Sequence, residues 1–236
     1  MIKKRWLALA LVMLAPQVYA QDEEAAATED EKPWSLTTAF VSDYRFRGIS
    51  QTNEDPAVQL TFNWGFDSGV YLGAFASNVD FVEGDGANFE LDLFGGYAWD
   101  ISENFSADIG YTAYLYPADD ADYNYGELIA KLTYKEWLSG TIGYSNDVFA
   151  SDEDGIYYGL SSSLPLSETF SVSMSAGYYD LEDVFDDSIL DYSFVLNKAY
   201  GPLNLSLGYY GTNNRLEDVY GENRSGRTIF GVSTTF

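Results

Sequence analysis

From Trp34 onward, apolar and polar residues alternate with a period of two, interrupted at intervals by turn-forming residues. Successive side chains of a β-strand point to opposite faces, so this pattern predicts strands with one apolar and one polar face. The clearest example is the run of apolar residues Val58, Leu60, Phe62, Trp64 and Phe66. The first strand, from Trp34, is expected to carry Tyr44 and Phe46 on its apolar face. Continued to Phe236, the pattern predicts an all-β chain of twelve strands.

The connections between these strands alternate between long and short. The long, polar connections are residues 47–55, 80–87, 117–122, 147–154, 180–188 and 212–227. The short turns lie near Ser68, Ser102, Glu136, Leu166 and Gly201. A bacterial outer-membrane barrel has an even number of antiparallel strands, with short periplasmic turns and longer external loops. Residues 34–236 therefore predict a transmembrane antiparallel up-and-down β-barrel in the bacterial outer membrane, with both termini in the periplasm.

Aromatic residues cluster near the predicted strand ends. The tryptophans beside the short turns are Trp34, Trp64, Trp99 and Trp137. The tyrosines toward the long loops include Tyr114, Tyr116, Tyr123, Tyr125, Tyr144, Tyr157, Tyr178 and Tyr179. Amphipathic rings favour membrane interfaces, so the sequence predicts an aromatic girdle at each rim. A soluble β-sandwich has the same alternation but does not explain this placement.

The last strand carries an expected assembly signal. Gly231 and Phe236 match the C-terminal signature of outer-membrane barrels, whereas Phe230 departs from its polar position. A soluble protein rarely leaves an apolar edge strand unpaired, and a closed barrel removes the edge by pairing its last strand with its first. We therefore expect the barrel-assembly machinery to be a partner.

The N-terminus has the features of a secretory signal peptide. Lys3, Lys4 and Arg5 precede an apolar run, and Ala20 ends a small-residue cleavage pattern. The apolar run is too short to span a membrane as a helix. We expect residues 1–20 to be the signal peptide and residues 21–33 to form an acidic, flexible N-terminal segment.

Composition excludes several classes of function. The 236-residue chain has a formal net charge of −25 and contains neither histidine nor cysteine. Such a charge disfavours nucleic acid and anionic membrane surfaces as partners. Without histidine there is no Ser-His or Cys-His nucleophile pair and no His-ligated zinc. We therefore expect no enzyme activity, no catalytic residue and no cofactor, and the carboxylate pair Glu90 and Asp92 fits lumen lining better than a catalytic dyad.

In a membrane barrel the apolar face contacts lipid and the polar face lines the lumen. The candidate lumen-lining residues are Asp43, Arg45, Glu90, Asp92, Asp108, Glu127, Lys131 and Asp191. Ionisable groups at membrane depth are costly unless water or opposite charges compensate them. Two interpretations stay open: a narrow polar lumen for passive diffusion of small solutes, or a closed structural or surface-interaction barrel with a salt-bridged lumen and no transport.

The predicted outer rim is strongly acidic. Its candidate residues are Asp80, Glu83, Asp85, Asp119, Asp120, Asp122, Asp152, Glu153, Asp154, Glu182, Asp183, Asp186 and Asp187. An anionic mouth concentrates cations and repels anions, so diffusion is predicted to prefer cations. Divalent cations bridging to lipopolysaccharide phosphates are an alternative to simple solvated charge, and no definite metal site is predicted. Outer-membrane lipids and lipopolysaccharide are the expected surroundings, and the oligomeric state stays open.

Two segments carry a family resemblance. Residues 42–51 (Ser-Asp-Tyr-Arg-Phe-Arg-Gly-Ile-Ser-Gln) and 69–80 (Gly-Val-Tyr-Leu-Gly-Ala-Phe-Ala-Ser-Asn-Val-Asp) resemble the hallmark of the TorF family of Gram-negative outer-membrane porins. The resemblance covers the mature chain and implies an outer-membrane location and a porin role. It draws attention to Asp43, Arg45, Arg47 and Gln51 at the outer end of the first strand, and it implies no catalytic residue.

Overall fold

The computed structural model of the chain describes residues 32–81, 87–117, 123–213 and 226–236. Twelve strands of this part form a closed antiparallel barrel, which confirms the predicted fold. The barrel strands are β1 (Trp34–Val41), β4 (Ala57–Gly65), β5 (Val70–Asn78), β6 (Phe89–Ser102), β7 (Phe105–Leu115), β8 (Tyr125–Tyr134), β9 (Leu138–Ser145), β10 (Gly155–Pro165), β11 (Phe170–Leu181), β12 (Asp187–Tyr200), β13 (Leu203–Thr212) and β14 (Arg227–Thr235). A two-stranded hairpin, β2 (Arg45–Phe46) and β3 (Ile49–Ser50), lies between β1 and β4.

The barrel closes by pairing β14 with β1. Thr38 lies opposite Thr234, and Val41 lies opposite Gly231. Leu36 and Phe236 exchange two backbone hydrogen bonds of 3.3 and 3.0 Å. The Phe236 side chain is exposed beyond this last pair. Each remaining strand pairs with its sequence neighbours in the barrel, so neither terminal strand is left as an open edge.

The strands place apolar side chains outside and polar side chains inside. On β4, Leu60 is 44% exposed whereas the adjacent Gln59 is 4% exposed, and on β12 the same contrast separates Phe194 from Val195 and Asn197. Trp64, Trp99 and Trp137 are exposed near the short turns, and Trp34 lies opposite Trp64 in the register. The outward surface is therefore apolar, as a lipid-facing barrel requires.

The two ends of the barrel differ. At the turn end, strands are joined by residues 66–69, 103–104, 135–137, 166–169 and 201–202. At the loop end, the connections are residues 42–56, 79–88, 116–124, 146–154, 182–186 and 213–226. The connection predicted over residues 180–188 is shorter, because β11 and β12 extend into it and only the short helix α1 (Glu182–Phe185) intervenes. No helix in the described ranges is long and apolar enough to cross a membrane.

The prediction for the end of the first strand is wrong. β1 ends at Val41, and Tyr44 and Phe46 are buried instead of facing lipid. The chain turns at Arg47 and Gly48, whose φ angles of 48° and 83° are those of a tight two-residue hairpin turn. Alternation alone does not distinguish an apolar face turned to lipid from one buried inside the barrel.

The prediction of a second aromatic girdle is also wrong for most of its tyrosines. Tyr144 and Tyr178 are exposed on the outer surface. In contrast, five tyrosines are almost completely buried: Tyr114, Tyr116, Tyr125, Tyr157 and Tyr179. They lie at the loop end, where other parts of the chain fold over them. Rim position was therefore insufficient to predict on which side of the barrel wall a tyrosine lies.

Placing a charge on one face of β4 or on the other tests which face meets lipid and which meets the lumen. Leu60→Arg puts a cation on the apolar face, and a midplane arginine costs a membrane barrel about 2–4 kcal/mol. The matched variant Thr61→Arg puts the same charge on the inner face, where Thr61 is half-exposed. In urea unfolding from lipid vesicles, we expect Leu60→Arg to be markedly less stable. Equal losses in the two variants would contradict the assignment of faces.

Candidate functional site

The connection between β1 and β4 folds into the barrel and crosses the lumen. We call residues 42–56 the inward hairpin. In the circular strand order, β9 lies halfway round from β1 in either direction. Arg47, at the tip of the hairpin, contacts Glu127 on β8 and the ring of Tyr157 on β10, the two neighbours of β9. The inward hairpin therefore reaches from one wall to the opposite one.

Polar contacts within the inward hairpin give it a defined shape. The Arg45 Nε donates to Asp43 Oδ2 at 2.8 Å, and Arg45 Nη1 donates to the carbonyl of Gly48 at 3.0 Å. Ser50 Oγ donates to the other Asp43 oxygen at 2.6 Å. Asp43 and Arg45 are almost fully buried. Because a buried charge needs paired and hydrogen-bonded surroundings, these contacts compensate the two charges within the hairpin itself.

The hairpin tip is held by a second buried ion pair. Arg47 Nη2 lies 2.7 Å from both carboxylate oxygens of Glu127. Its guanidinium also lies over the rings of Tyr157 and Tyr179, at 4.1 and 4.3 Å from the ring centroids. We call Arg47, Glu127, Tyr157 and Tyr179 the arginine latch. Tyr114 OH donates a 3.1 Å hydrogen bond to Glu127, so the carboxylate that pairs with Arg47 is also held in place by the barrel wall.

Glycines make room for this contact. A Cβ added to Gly143 on β9 would lie 2.6 Å from Glu127 Oε1 and 3.1 Å from Arg47 Nη2. A Cβ on Gly48 would overlap Thr212 on β13, so the turn at the tip lies flush against the wall there. The positive φ of Gly48 also disfavours any other residue at that position. The latch therefore depends on close approach between backbone and side chains.

Other connections close over the loop end. Val148, in a 3₁₀ turn (Val148–Ala150), is fully buried, and the neighbouring Phe149 packs edge-on against Tyr125 and Tyr179. Phe46 of the inward hairpin packs against Tyr114. The loop end thus has a small apolar and aromatic core. The half of the barrel nearer the turn end, which we call the turn half, is different, because its inner wall includes small, polar, partly exposed residues: Ser35, Thr37, Thr61, Thr141, Ser161, Ser163 and Ser175.

Tyrosine hydroxyls compensate most acidic groups on the inner wall. The donor–acceptor pairs are Tyr116 with Glu90 at 2.9 Å, Tyr71 with Asp108 at 3.0 Å, Tyr114 with Glu127 at 3.1 Å and Tyr157 with Asp191 at 3.5 Å. Lys131 lies opposite Asp108 in the β7–β8 register. Asp92 is buried two residues from Glu90 and, within the described ranges, neither of its oxygens has a hydrogen-bond partner.

The electrostatic environment near this acidic pair also affects the inward hairpin. Burial, followed by the negative charges of Glu90 and Asp92, raises the pKa of Tyr44 well above its ordinary value. Tyr44 therefore stays a neutral hydrogen-bond donor at physiological pH. Its ring packs against Phe75 at a centroid distance of 5.7 Å, which joins the base of the hairpin to β5.

The candidate lumen-lining residues thus lie in two parts of the structure, the inward hairpin and the inner wall. Asp43 and Arg45 lie on the inward hairpin, and not at the end of the first strand as the sequence suggested. The inner wall of the barrel carries Glu90, Asp92, Asp108, Glu127, Lys131 and Asp191. Within the described residues, acidic groups outnumber basic groups on these inner surfaces. The described inner surfaces therefore carry an excess of acidic side chains.

The candidate rim acids are only partly described. Exposed at the loop end are Asp80, Asp152, Glu153, Asp154, Glu182, Asp183 and Asp186. Asp187 is half-buried and begins β12. Glu83, Asp85, Asp119, Asp120 and Asp122 lie outside the described residues, as do the expected signal peptide and most of the acidic N-terminal segment. In the described ranges, no group of three or more acidic residues is placed to hold a metal ion.

The sequence interpretation missed the partner of Arg47. The family resemblance drew attention to Arg47, but nothing in the alternation paired it with Glu127, which is 80 residues away. The usable signal was the dipeptide Arg47-Gly48 between the alternating residues of Arg45–Phe46 and Ile49–Ser50. A glycine in the second position of such a dipeptide is typical of a two-residue hairpin turn.

Comparison with known proteins places the chain in a family. The profile of Gcw_chp, described as a bacterial protein of unknown function, matches residues 25–236. The chain belongs to the Gcw_chp family. A comparison with curated proteins found no match. The family description assigns no activity, so the comparison adds membership without adding a substrate.

Solved porin structures have a similar fold. The NanC porin is 11% identical with a TM-score of 0.58, and the match covers 86% of this chain and 98% of that one. The KdgM porin, solved in complex with disordered oligogalacturonate, is 10% identical with a TM-score of 0.55, covering 86% and 99%. At these identities the likeness shows the fold alone. It supports the porin-like barrel implied by the TorF resemblance, while the TorF name itself stays a prediction.

A methyl group at Gly143 should loosen the arginine latch. Overpacking of this kind costs about 1–3 kcal/mol, because the Cβ of Gly143→Ala would press on Glu127 and Arg47. We expect amide hydrogen exchange in residues 42–56 to accelerate about tenfold or more. Gly140→Ala on the same strand is the matched control, because a Cβ there meets nothing within 4 Å. Unchanged exchange in Gly143→Ala would show that the latch does not hold the hairpin.

Proposed function

We propose that this protein is an outer-membrane porin-like channel for small solutes, with a passage narrowed by the inward hairpin. The supporting observation is the division of the barrel interior. The turn half has a polar wall with partly exposed residues such as Ser161 and Ser175, whereas the loop half is occupied by a hairpin held at its tip. A channel of this design conducts little while the arginine latch is closed and more when it opens.

The outward apolar surface supports a membrane location. A soluble barrel would not expose residues such as Leu72, Phe194 and Leu207, each more than half exposed, in a continuous belt. The likeness to the NanC and KdgM porins and the TorF resemblance favour the bacterial outer membrane. With that assignment, the turn end faces the periplasm together with both termini, and the loop end faces outward.

The charge of the interior favours cations as solutes. Beside the hairpin, Glu90, Asp92 and Asp191 lie on the inner wall, and exposed acids such as Asp154 lie on the rim beyond it. Acidic rings raise the local concentration of cations and repel anions. KdgM was solved with an oligogalacturonate, which is an anion. The negative interior proposed here therefore implies a different class of solute despite the similar barrel.

A closed structural or surface-interaction barrel is the second candidate. The inward hairpin contacts β8 and β10, the two strands beside β9 on the wall opposite β1. Its buried pairs, Asp43–Arg45 and Arg47–Glu127, are those expected of a permanent seal. The two candidates differ in one property, because a seal never opens whereas a channel conducts at least intermittently.

Single-channel recording should distinguish the candidates. In planar bilayers, we expect wild-type protein to give small or infrequent steps. A variant in which residues 43–55 are replaced by a short Gly-Ser connection should conduct several times more, because the obstruction is removed. Gly143→Ala, which keeps the whole hairpin, should raise the open probability, and Gly140→Ala should not. If wild type and Gly143→Ala are both silent as folded protein, the barrel is closed and the channel proposal fails.

The acids beside the hairpin should determine selectivity. In a tenfold potassium chloride gradient, at a pH high enough to ionise the buried Asp92 carboxyl, Asp92→Asn should lower the cation preference, because it removes a charge from the inner wall. Asp154→Asn makes the same charge change on the exposed rim and should matter less, since exposed charges are screened by salt. A reversal potential left unchanged by Asp92→Asn would exclude Asp92 from the passage.

A further inference from the structure

The surroundings of the Arg47 side chain resemble a binding site more than an ordinary ion pair. Glu127 supplies a fully buried carboxylate, and Tyr157 and Tyr179 supply two ring faces within 4.3 Å of the guanidinium. The two rings meet edge to face at an interplanar angle of 87°, so they form two walls of a corner. A flat cation enclosed by aromatic faces and a carboxylate is a recognised mode of cation binding.

Most walls of this site belong to the barrel, and one further ring, that of Phe46 on the hairpin, lies 4.7 Å from the guanidinium. Glu127, Tyr157 and Tyr179 lie on β8, β10 and β11, and Tyr114 on β7 orients the carboxylate. Gly143 on β9 leaves the space that the guanidinium and carboxylate occupy. The carboxylate and the two nearer ring faces are therefore built into the wall. The hairpin contributes Arg47 and the ring of Phe46.

We propose that the barrel contains a binding site for guanidinium-type organic cations, formed by Glu127, Tyr157 and Tyr179, which Arg47 occupies as a tethered ligand. A free solute carrying a guanidinium group competes with Arg47 for the same carboxylate and ring faces. When the solute binds, Arg47 leaves and the inward hairpin is released. The solute that enters the channel is then also the one that opens it.

The proposed site names a class of solute for the channel, and in that respect it rests on the proposed function. The binding itself does not depend on conductance. A tethered group acts at an effective concentration of about millimolar or more, so a free ligand must reach at least comparable levels to displace it. Removing the Arg47 side chain should therefore expose a site that is hidden in the wild-type protein.

The test uses methylguanidinium and Arg47→Ala protein folded in detergent micelles. Saturation-transfer NMR should detect methylguanidinium binding to Arg47→Ala at about 1–10 mM and much weaker binding to wild type, in which Arg47 competes. Methylammonium should bind at least several-fold more weakly, because it lacks the flat face that stacks on the rings. Binding that is equal in wild type and Arg47→Ala would overturn the proposal, since it would then be independent of the latch.

Two double variants locate the binding. Arg47→Ala with Glu127→Gln should lose at least tenfold in affinity, because the carboxylate is the only anionic component of the proposed site. Arg47→Ala with Asp154→Asn removes a carboxylate from the exposed rim and should bind as Arg47→Ala does. If both double variants lose affinity equally, methylguanidinium responds to overall charge and the proposed site is excluded.

Folding offers an independent readout. Removing Arg47 leaves Glu127 buried without its cation, and an uncompensated buried charge of this kind can prevent folding. If Arg47→Ala fails to fold alone, methylguanidinium added during refolding should raise its folded yield, and methylammonium should do so less. Equal yields with the two ions, or with neither, would overturn the proposal. A silent channel with rescued folding would instead contradict only the proposed transport function.

Discussion

A β-sheet with open edges leaves backbone N–H and C=O groups without partners, and the need to pair them underlies the structure. The pairing of β14 with β1 meets it by closing the barrel, through contacts such as Val41 opposite Gly231. Closure then dictates the two faces of each strand, because one parity faces outward and the other faces the lumen. The interior consequently collects the polar and charged residues of the chain, which a soluble core would exclude.

Charge in that interior creates the second constraint. Glu127 on the wall and Arg47 on the hairpin are each costly to bury alone, and each compensates the other across the lumen. Tyrosine hydroxyls perform a similar task for Glu90, Asp108 and Asp191, at distances of 2.9, 3.0 and 3.5 Å. The inward hairpin is thus part of the electrostatic balance of the barrel. Its position follows from the charges as much as from the packing of Phe46 against Tyr114.

This balance also connects structure with function. The contact that Arg47 makes at the hairpin tip combines an ion pair with ring faces, and it is the contact for which the proposed guanidinium solute competes. The polar turn half supplies a wall that water can reach, and the loop half supplies a barrier with a defined contact. The same arrangement serves a gated channel and a sealed barrel, and the difference between them lies in the free energy needed to break the contact between Arg47 and Glu127.

The sequence alone determined the barrel. Alternation from Trp34 to Phe236, twelve segments and connections of alternating length predict the strands, their number and most of their outward faces, because each depends on residues close together in the chain. The tertiary structure decided what fills the lumen. Whether Tyr44 and Phe46 face lipid or the interior, and that Arg47 meets a carboxylate 80 residues away, depends on where a connection folds after closure. Local periodicity carries no information about contacts across the lumen, since those residues become neighbours only when the last strand meets the first.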